Sequence, residues 1–146
     1  MKDIDFDTDF VLPATEEDVV AFEKQFGVEL PAVYRQFLIS PGGGCPELDW
    51  VPLPFVNDGD YISFFFSINA EPDEETLADA QEKYRNEKTK DDYLVIATSP
   101  TDNLFLLKVR GEETGAIYFQ EEDVRFEKIC DDFPKLIDRL EEDLFD

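Results

Sequence analysis

The chain lacks histidine altogether and contains only two cysteines among its 146 residues. Without histidine it has neither the side chain that most often moves protons near neutral pH nor the commonest metal ligand. Sites of the Ser-His-Asp and Cys-His types and the H-E-x-x-H zinc motif are therefore excluded. Cys45 and Cys130 are too few for a disulfide-rich secreted scaffold. We expect two reduced thiols, and a single structural disulfide is the alternative.

Positive charge and long apolar runs are also scarce. Lysine and arginine together number 13 against 36 aspartates and glutamates, which gives a formal net charge of −23. Such a surface repels nucleic acid and anionic lipid and favours basic partners. No run approaches the ~18 apolar residues of a membrane span, and the N-terminus has no apolar core of a signal peptide. We expect a cytoplasmic protein.

What is present predicts a folded α+β domain. Apolar residues make up 42% of the chain and include 14 phenylalanines, which is a globular composition. The length suits one domain over residues 1–146, with residues 1–14 as an N-terminal strand or arm. The order of elements predicts a central antiparallel sheet with an N-terminal helical pair, an inserted helix and a C-terminal helix packed around it.

The first two helices have clear boundaries in the sequence. Thr15 and Asp18 form a capping-box pair before an apolar face, and Gly27 suits the left-handed residue that ends the helix. Pro31 suits the first position of the second helix. That helix should end near Ser40, because the proline after it disfavours helical geometry.

Strands and two further helices follow. We predict a strand over residues 61–68, whose three phenylalanines at 64–66 would lie on both faces and be buried; an exposed contact patch is the alternative.

We predict a helix over residues 71–90 with a narrow inner face. Three strands form a meander, and residues 121–129 add another. An aspartate at 131 or 132 caps the last helix. The expected inward-facing residues of the two helices are Leu77, Ala80, Gln81 and Tyr84, then Phe133, Leu136, Ile137, Leu140 and Leu144.

Two stretches partly match ligand-binding loops. Asp3, Asp5, Asp7 and Asp9 have the spacing of a calcium loop, but Thr8 stands where the loop glycine belongs, so we expect a solvated strand or arm. The glycines at 42–44 resemble a phosphate cradle. A phosphate loop precedes a helix, whereas this triplet follows one, and we predict a turn that leads into the sheet.

Acidic pairs at predicted turns are the remaining candidates for chemistry, at residues 58 and 60, 112 and 113, and 121 and 122. Acid–base catalysis requires burial or a like-charged neighbour that raises one pKa, and we expect these turns to be solvated. We therefore predict no enzymatic activity and no catalytic, cofactor or metal site.

An aromatic residue among acids suits a contact with a basic protein. The only tryptophan, Trp50, follows Asp49 in a predicted surface strand or loop, although an ordinary core tryptophan is the alternative. Acids and aromatics near predicted loops are our candidate partner-binding residues: Asp49, Trp50, Asp58, Asp60, Glu112, Glu113, Glu121 and Glu122.

Two blocks of the chain resemble the SMI1/KNR4 family, also called the SUKH superfamily, over roughly residues 15–142. The first block is "ATEEDVVAFEKQFGVELPAVYRQFLISPGGG", and the second is "TDNLFLLKVRGEETGAIYFQEED". The closing "DDFPKLIDRL" is similar to the family's last helix. The chain departs from the family pattern at Thr101, where a glycine often stands, and at residues 120–123, which contain no histidine. The motif positions of the first block are Glu23, Leu30, Pro31, Tyr34, Phe37 and Leu38.

The resemblance implies an α+β scaffold that neutralises a bacterial toxin. Family members of this type block cognate toxins, often nucleases or deaminases, through variable surfaces. The net charge fits such a role, because a nuclease must present a basic face to phosphates. We expect a basic protein partner, with no direct contact to nucleic acid or membrane. The alternatives are a regulatory or scaffolding module that binds an unrelated protein and, last, an enzyme that binds a small molecule or metal.

Overall fold

The computed structural model describes residues 1–55, 59–87, 89, 91–122 and 124–142, and these form four helices and eleven strands. The helices are α1 (Glu16–Phe26), α2 (Ala32–Ile39), α3 (Leu77–Tyr84) and α4 (Phe133–Arg139). The strands are β1 (Phe6–Asp7), β2 (Val11–Leu12), β3 (Cys45–Pro46), β4 (Trp50–Pro52), β5 (Gly59–Tyr61), β6 (Phe64–Phe65), β7 (Asn69–Ala70), β8 (Tyr93–Thr98), β9 (Leu104–Lys108), β10 (Ile117–Glu121) and β11 (Arg125–Cys130).

A five-stranded antiparallel sheet in the order β11-β10-β9-β8-β6 forms the centre of the fold. Three two-stranded ladders flank it, pairing β1 with β3, β2 with β7 and β4 with β5. Helices combined with antiparallel strands confirm the predicted α+β class. No helix among the described residues is long and apolar enough to cross a bilayer.

The continuous strand predicted over residues 61–68 is wrong. The chain there forms the end of β5 and the two-residue β6, separated by irregular backbone. The burial prediction holds for Phe65 and Phe66, which are fully enclosed. Phe64 is half-buried, and its ring meets that of Phe10 at a centroid distance of 5.4 Å. The N-terminal arm contributes to the cover of both adjacent residues, since the ring of Phe6 also lies 6.0 Å from that of Phe65.

The N-terminal arm has the alternation that the sequence predicts. Its aspartates at positions 3, 5, 7 and 9 are exposed, while Ile4, Phe6 and Phe10 are half-buried against the protein. Only Phe6–Asp7 and Val11–Leu12 pair as strands, so most of this segment is an ordered arm. The two cysteines are free thiols, with Cys45 half-buried in β3 and Cys130 buried at the end of β11.

The helical pair is fixed by its caps and by one glutamate. Thr15 and Asp18 form the predicted capping box, and Gly27 ends α1 in the left-handed conformation with φ of 62°. Pro31 is the N-cap of α2, one position before its predicted place. Glu23 accepts a hydrogen bond from the backbone N–H of Leu30 at 2.8 Å. This contact holds the connection between the helices against α1.

The glycine triplet is a turn, as predicted, and it is also a crossing point of three segments. All three residues have positive φ, between 101° and 146°. A Cβ on Gly43 would lie 2.7 Å from the carbonyl oxygen of Phe65, and one on Gly44 would overlap the carbonyl oxygen of Asp7. Gly44 and Phe65 also exchange backbone hydrogen bonds of 3.0 and 2.9 Å. Any side chain here would separate the exit of α2 from β1 and β6.

Helix α3 is much shorter than the predicted helix over residues 71–90. It starts only after Thr76, which forms a capping box with Asp79, and it ends where Arg85 becomes extended. The predicted inner face is correct, since Leu77, Ala80 and Gln81 are buried and Tyr84 is half-buried. The local caps therefore decide the length of this helix, whereas charge and propensity favoured a longer one.

Helix α4 begins after Asp132, whose side chain accepts the backbone N–H of Lys135 at 2.9 Å. Its predicted stripe is buried from Phe133 to Leu140, while Leu144 lies outside the described residues. After the helix, Glu141 exchanges backbone hydrogen bonds with Trp50 of β4 at 2.9 and 3.1 Å. Glu141 thus holds the β4–β5 ladder against the residues that follow α4.

An aromatic cluster joins the helical pair to α4 and the sheet. Tyr34 is 1% exposed, and its ring meets Phe133 at 5.1 Å and Phe37 at 6.2 Å between centroids. The Tyr34 hydroxyl has no hydrogen-bond partner among the described residues. Burial raises the pKa of this hydroxyl, so it stays neutral. A neutral hydroxyl that is buried without a partner is destabilising.

Replacing Tyr34 by phenylalanine is expected to raise the free energy of unfolding by about 1 kcal/mol. The substitution keeps the ring contacts and removes only the buried, unpartnered oxygen. Urea unfolding followed by circular dichroism measures the change. A lower stability in the Tyr34→Phe protein would show that the hydroxyl has a stabilising partner.

Candidate functional site

Several of the predicted partner-binding residues meet in one cleft of about 870 Å³ at an end of the central sheet. Three segments form its walls: the β4–β5 ladder, the turn between β8 and β9, and the turn between β10 and β11. These segments converge because antiparallel neighbours place alternate turns at the same end of a sheet. The lining residues are Trp50, Gly59, Asp60, Tyr61, Pro100, Thr101, Asn103, Glu121, Glu122 and Val124.

The β4–β5 ladder supplies an aromatic wall. Trp50 pairs with Tyr61 across the ladder, and their rings lie edge to face with centroids 4.9 Å apart. Both residues are half-buried, so neither is an ordinary core residue. A Cβ on Gly59 would overlap the carbonyl oxygen of Val51 and lie 2.6 Å from Cζ2 of Trp50, so glycine at this position allows both the strand pairing and the indole. The wall is held in place because Trp50 is paired on its other side with Glu141.

Asp60 is the only buried acid among the cleft residues that the structure describes, with 9% of its surface exposed. Its Oδ1 accepts the backbone N–H of Tyr61 at 2.8 Å, and its Oδ2 accepts the side-chain amide of Asn103 at 2.9 Å. The prediction that this acid is solvated is therefore wrong. Two donors compensate for lost water, which makes burial of the carboxylate tolerable.

The turn between β8 and β9 holds Asn103 in position. Ser99 accepts the backbone N–H of Asn103 on its hydroxyl at 3.0 Å, and its own N–H donates to the Asn103 carbonyl at 2.9 Å. Asp102 adopts a left-handed conformation with φ of 64°, which closes the turn. These contacts fix the backbone of Asn103, and with it the position from which its side-chain amide donates to Asp60.

Glu121 and Glu122 form the acidic rim of the cleft. Glu121 ends β10 and is half-buried, with one oxygen 3.7 Å from Nε of Arg125. Glu122 is exposed in the turn and adopts a φ of 38°. Val124 follows on the same rim with 71% of its surface exposed, although it was expected within a strand. The rim therefore offers charge together with an accessible apolar side chain.

The other predicted residues lie apart from the cleft lining. Asp49 is half-buried directly before Trp50, and its carbonyl accepts the N–H of Ile62 at 2.9 Å. Asp58 lies outside the described residues. Glu112 and Glu113 are exposed in the turn between β9 and β10, at the opposite end of the sheet. Glu113 forms an ion pair with Lys128 there, at 3.2 Å.

Sequence reasoning missed Tyr61 and Asn103, which complete the aromatic wall and the Asp60 network. Tyr61 was placed in a strand, and nothing in the sequence shows that it pairs with Trp50. Asn103 lies in a turn between two strands, where asparagine is common because its side chain can hydrogen-bond to nearby backbone. A polar residue directly before the apolar run at 104–107 was the one available signal.

The arrangement is suited to binding a positively charged group. Among the described lining residues three are acidic and none is basic. The aromatic wall offers ring faces and edges, which attract cations and apolar groups.

The SMI1 / KNR4 family (SUKH-1) model matches residues 13–139, which is most of the chain. The match includes every wall of the cleft and omits only the N-terminal arm and the last few residues. No curated protein matches the chain significantly. The order of helices and strands described above and the extent of this match agree with the resemblance carried by the helical pair and the glycine turn. The chain therefore belongs to the SMI1/KNR4 family (SUKH-1).

Proposed function

We propose that this protein is a cytoplasmic immunity protein that binds a basic toxin domain and blocks its active face, without performing a reaction of its own. The toxin is a nuclease or another toxin that acts on nucleic acid. The acidic, aromatic-walled cleft is the centre of the binding surface. Family membership supports the general role, since SUKH domains are known as immunity proteins.

The observation that carries the proposal is the composition of the cleft. Asp60, Glu121 and Glu122 line a space to which no lysine or arginine of the described residues contributes, next to the ring pair of Trp50 and Tyr61. Aromatic residues at the centre of an interface with charge at its rim are typical of protein-binding hot spots. A basic, nucleic-acid-binding face is complementary to such a surface.

The net charge of −23 supports rapid binding of such a partner. A strong negative field steers a basic protein towards its binding site and raises the association rate constant. Fast capture is useful to an inhibitor, because it shortens the time during which a toxin is active. Screening by salt shortens the range of the field, so the association rate should fall as ionic strength rises.

The departures from the family pattern fall on the cleft. Thr101, Glu121 and Glu122 all line it, and they occupy the two regions where this chain lacks the usual glycine and histidine. If members of one family recognise different toxins, their sequences are expected to differ most at the residues that contact the toxin. This location therefore supports assigning the binding surface to the cleft.

Co-expression tests the function directly. Cells that produce the toxin encoded beside the gene of this protein should survive when the protein is present and die when it is absent. Continued killing, despite expression of folded protein confirmed by immunoblot and circular dichroism, would contradict the proposal. If no toxin gene adjoins this one and the protein binds an unrelated basic protein, the regulatory module is the correct alternative.

A further inference from the structure

We infer that the cleft receives an arginine side chain of the partner and that Asp60 is the carboxylate that pairs with its guanidinium group. This inference rests on the proposed function and specifies the chemical group that is recognised. It follows from three observations: a buried acid without a counter-ion among the described residues, an aromatic wall beside it, and a cleft large enough for a side chain of a protein partner.

Asp60 lacks a positive partner within the described part of the protein. The described ion pairs involve other acids, such as Glu23 with Arg35 and Glu121 with Arg125. Both donors to Asp60, the Tyr61 N–H and the Asn103 amide, are neutral. A carboxylate has about four acceptor positions, so its oxygens can accept further hydrogen bonds from the cleft. A buried carboxylate of this kind is stabilised most by a cation that the ligand supplies.

The aromatic wall favours arginine over lysine. A guanidinium group is planar, stacks on aromatic rings and donates two parallel hydrogen bonds to one carboxylate. The ammonium group of lysine is more strongly hydrated and has no plane to stack. Trp50 and Tyr61 form the wall of the same cleft that Asp60 lines, so one planar cation can use both.

The rim and the size of the cleft agree with a side chain that arrives on a protein segment. A volume of about 870 Å³ accommodates more than one side chain, which leaves room for flanking main chain. Glu121 is half-buried and Glu122 is exposed, so they strengthen the local negative potential and guide the cation rather than pair with it. A Cβ on Gly59 would overlap the carbonyl oxygen of Val51 and press on the indole of Trp50, so glycine is needed for the ladder and the indole to lie this close.

A fluorescence titration tests the inference, because Trp50 is the only tryptophan and lines the cleft. The probe is a short peptide of alternating glycine and arginine, compared with matched lysine and citrulline peptides. The arginine peptide should produce a saturable change in Trp50 emission. Binding of the lysine peptide should be weaker by roughly threefold or more. The citrulline peptide, which keeps the shape and loses the charge, should show no saturation.

Substitutions connect the binding to Asp60. Asp60→Asn should weaken binding of the arginine peptide by about tenfold and remove the preference over lysine. Glu112→Gln makes the same change of charge at the far end of the sheet and should leave binding within about twofold, because the charge is remote and exposed. If Asp60→Asn does not fold, Tyr61→Leu removes one ring of the aromatic wall without changing charge and keeps the backbone N–H that donates to Asp60. Calorimetry should then show weaker binding of the arginine peptide to the Tyr61→Leu protein and a smaller preference over the lysine peptide.

Equal binding of the arginine and lysine peptides, or wild-type affinity in the Asp60→Asn protein or its Tyr61→Leu substitute, would overturn the inference. The proposed function would stand in that case if the protein still protects cells from the toxin. Conversely, selective arginine binding without protection of cells would contradict the function and leave the chemistry of the cleft intact. The two failures are therefore distinguishable.

Discussion

Replacing Gln81 by methionine is expected to lower the free energy of unfolding by about 3 kcal/mol. Gln81 is 2% exposed on the inner face of α3. Its carboxamide forms the hydrogen bonds to β8 that a neighbouring strand would otherwise form. Its Oε1 accepts the N–H of Val95 at 2.8 Å, and its Nε2 donates to the carbonyl of Val95 at 2.8 Å. β6 pairs with β8 at Ala97 and Thr98, so within the described part of the chain no strand pairs with Val95 on that side.

Methionine matches glutamine in length but leaves the N–H and C=O of Val95 buried without partners. Each such group costs ~1–3 kcal/mol. Urea unfolding gives the stability, and hydrogen exchange should show faster exchange of the Val95 amide. Gln25→Met, at an exposed position of α1, is the matched control and should change stability by less than about 0.5 kcal/mol. Equal stability of the two variants would mean that other groups form hydrogen bonds with the N–H and C=O of Val95.

Reversing the charge of the cleft rim is expected to have the largest effect on partner binding. The double substitution Glu121→Lys and Glu122→Lys should lower the association rate constant for the toxin domain by roughly tenfold to a hundredfold. Both side chains lie on the rim, where a positive charge repels an approaching basic surface. The remaining rate should also depend less on salt, because steering contributes less to it.

The control for the rim variant makes an identical change in net charge elsewhere. Glu82→Lys in α3 and Glu112→Lys in the turn between β9 and β10 are both exposed and do not line the cleft. Their combined effect should be at most about threefold, since only the general field changes. Stopped-flow mixing measures both rates, and thermal unfolding confirms that each variant is folded. Equal losses in the two double variants would show that net charge, and not the cleft, determines binding.

Local signals allowed much of the fold to be predicted. The capping box at Thr15, the left-handed Gly27 and the aspartate cap of α4 each determine structure through contacts within a few residues. The strands β8 to β10 were predictable because each is an apolar run between turns. Signals of this kind depend little on the rest of the molecule.

Errors arose where distant contacts decide the outcome. The segment around Phe64–Phe66 has high β-propensity, yet it breaks into short pieces because it must pair with β4, Gly44 and β8 in turn. Propensity also overestimated α3, whose ends are set by Thr76 and by extended backbone at Arg85. The role of Gln81 as a partner for β8 was not predictable, although its place on the inner face was.

The residues of the cleft were predicted only in part. The sequence offered acids and aromatics near predicted loops as candidates, and four of them line one cleft: Trp50, Asp60, Glu121 and Glu122. The sequence could not show that the β4–β5 ladder and the two turns converge there, because that depends on sheet order. It also could not show that Asp60 is buried, since the burial depends on Asn103 from another turn.

The emission of Trp50 in the complex with the toxin domain encoded beside the gene tests the central claim most directly. Saturating toxin should change the intensity or wavelength of this emission and protect the indole from quenching by acrylamide. The same experiment with the Glu121→Lys and Glu122→Lys protein should show weaker binding. A tight complex in which Trp50 keeps its emission and its access to acrylamide would place the interface elsewhere and contradict the account.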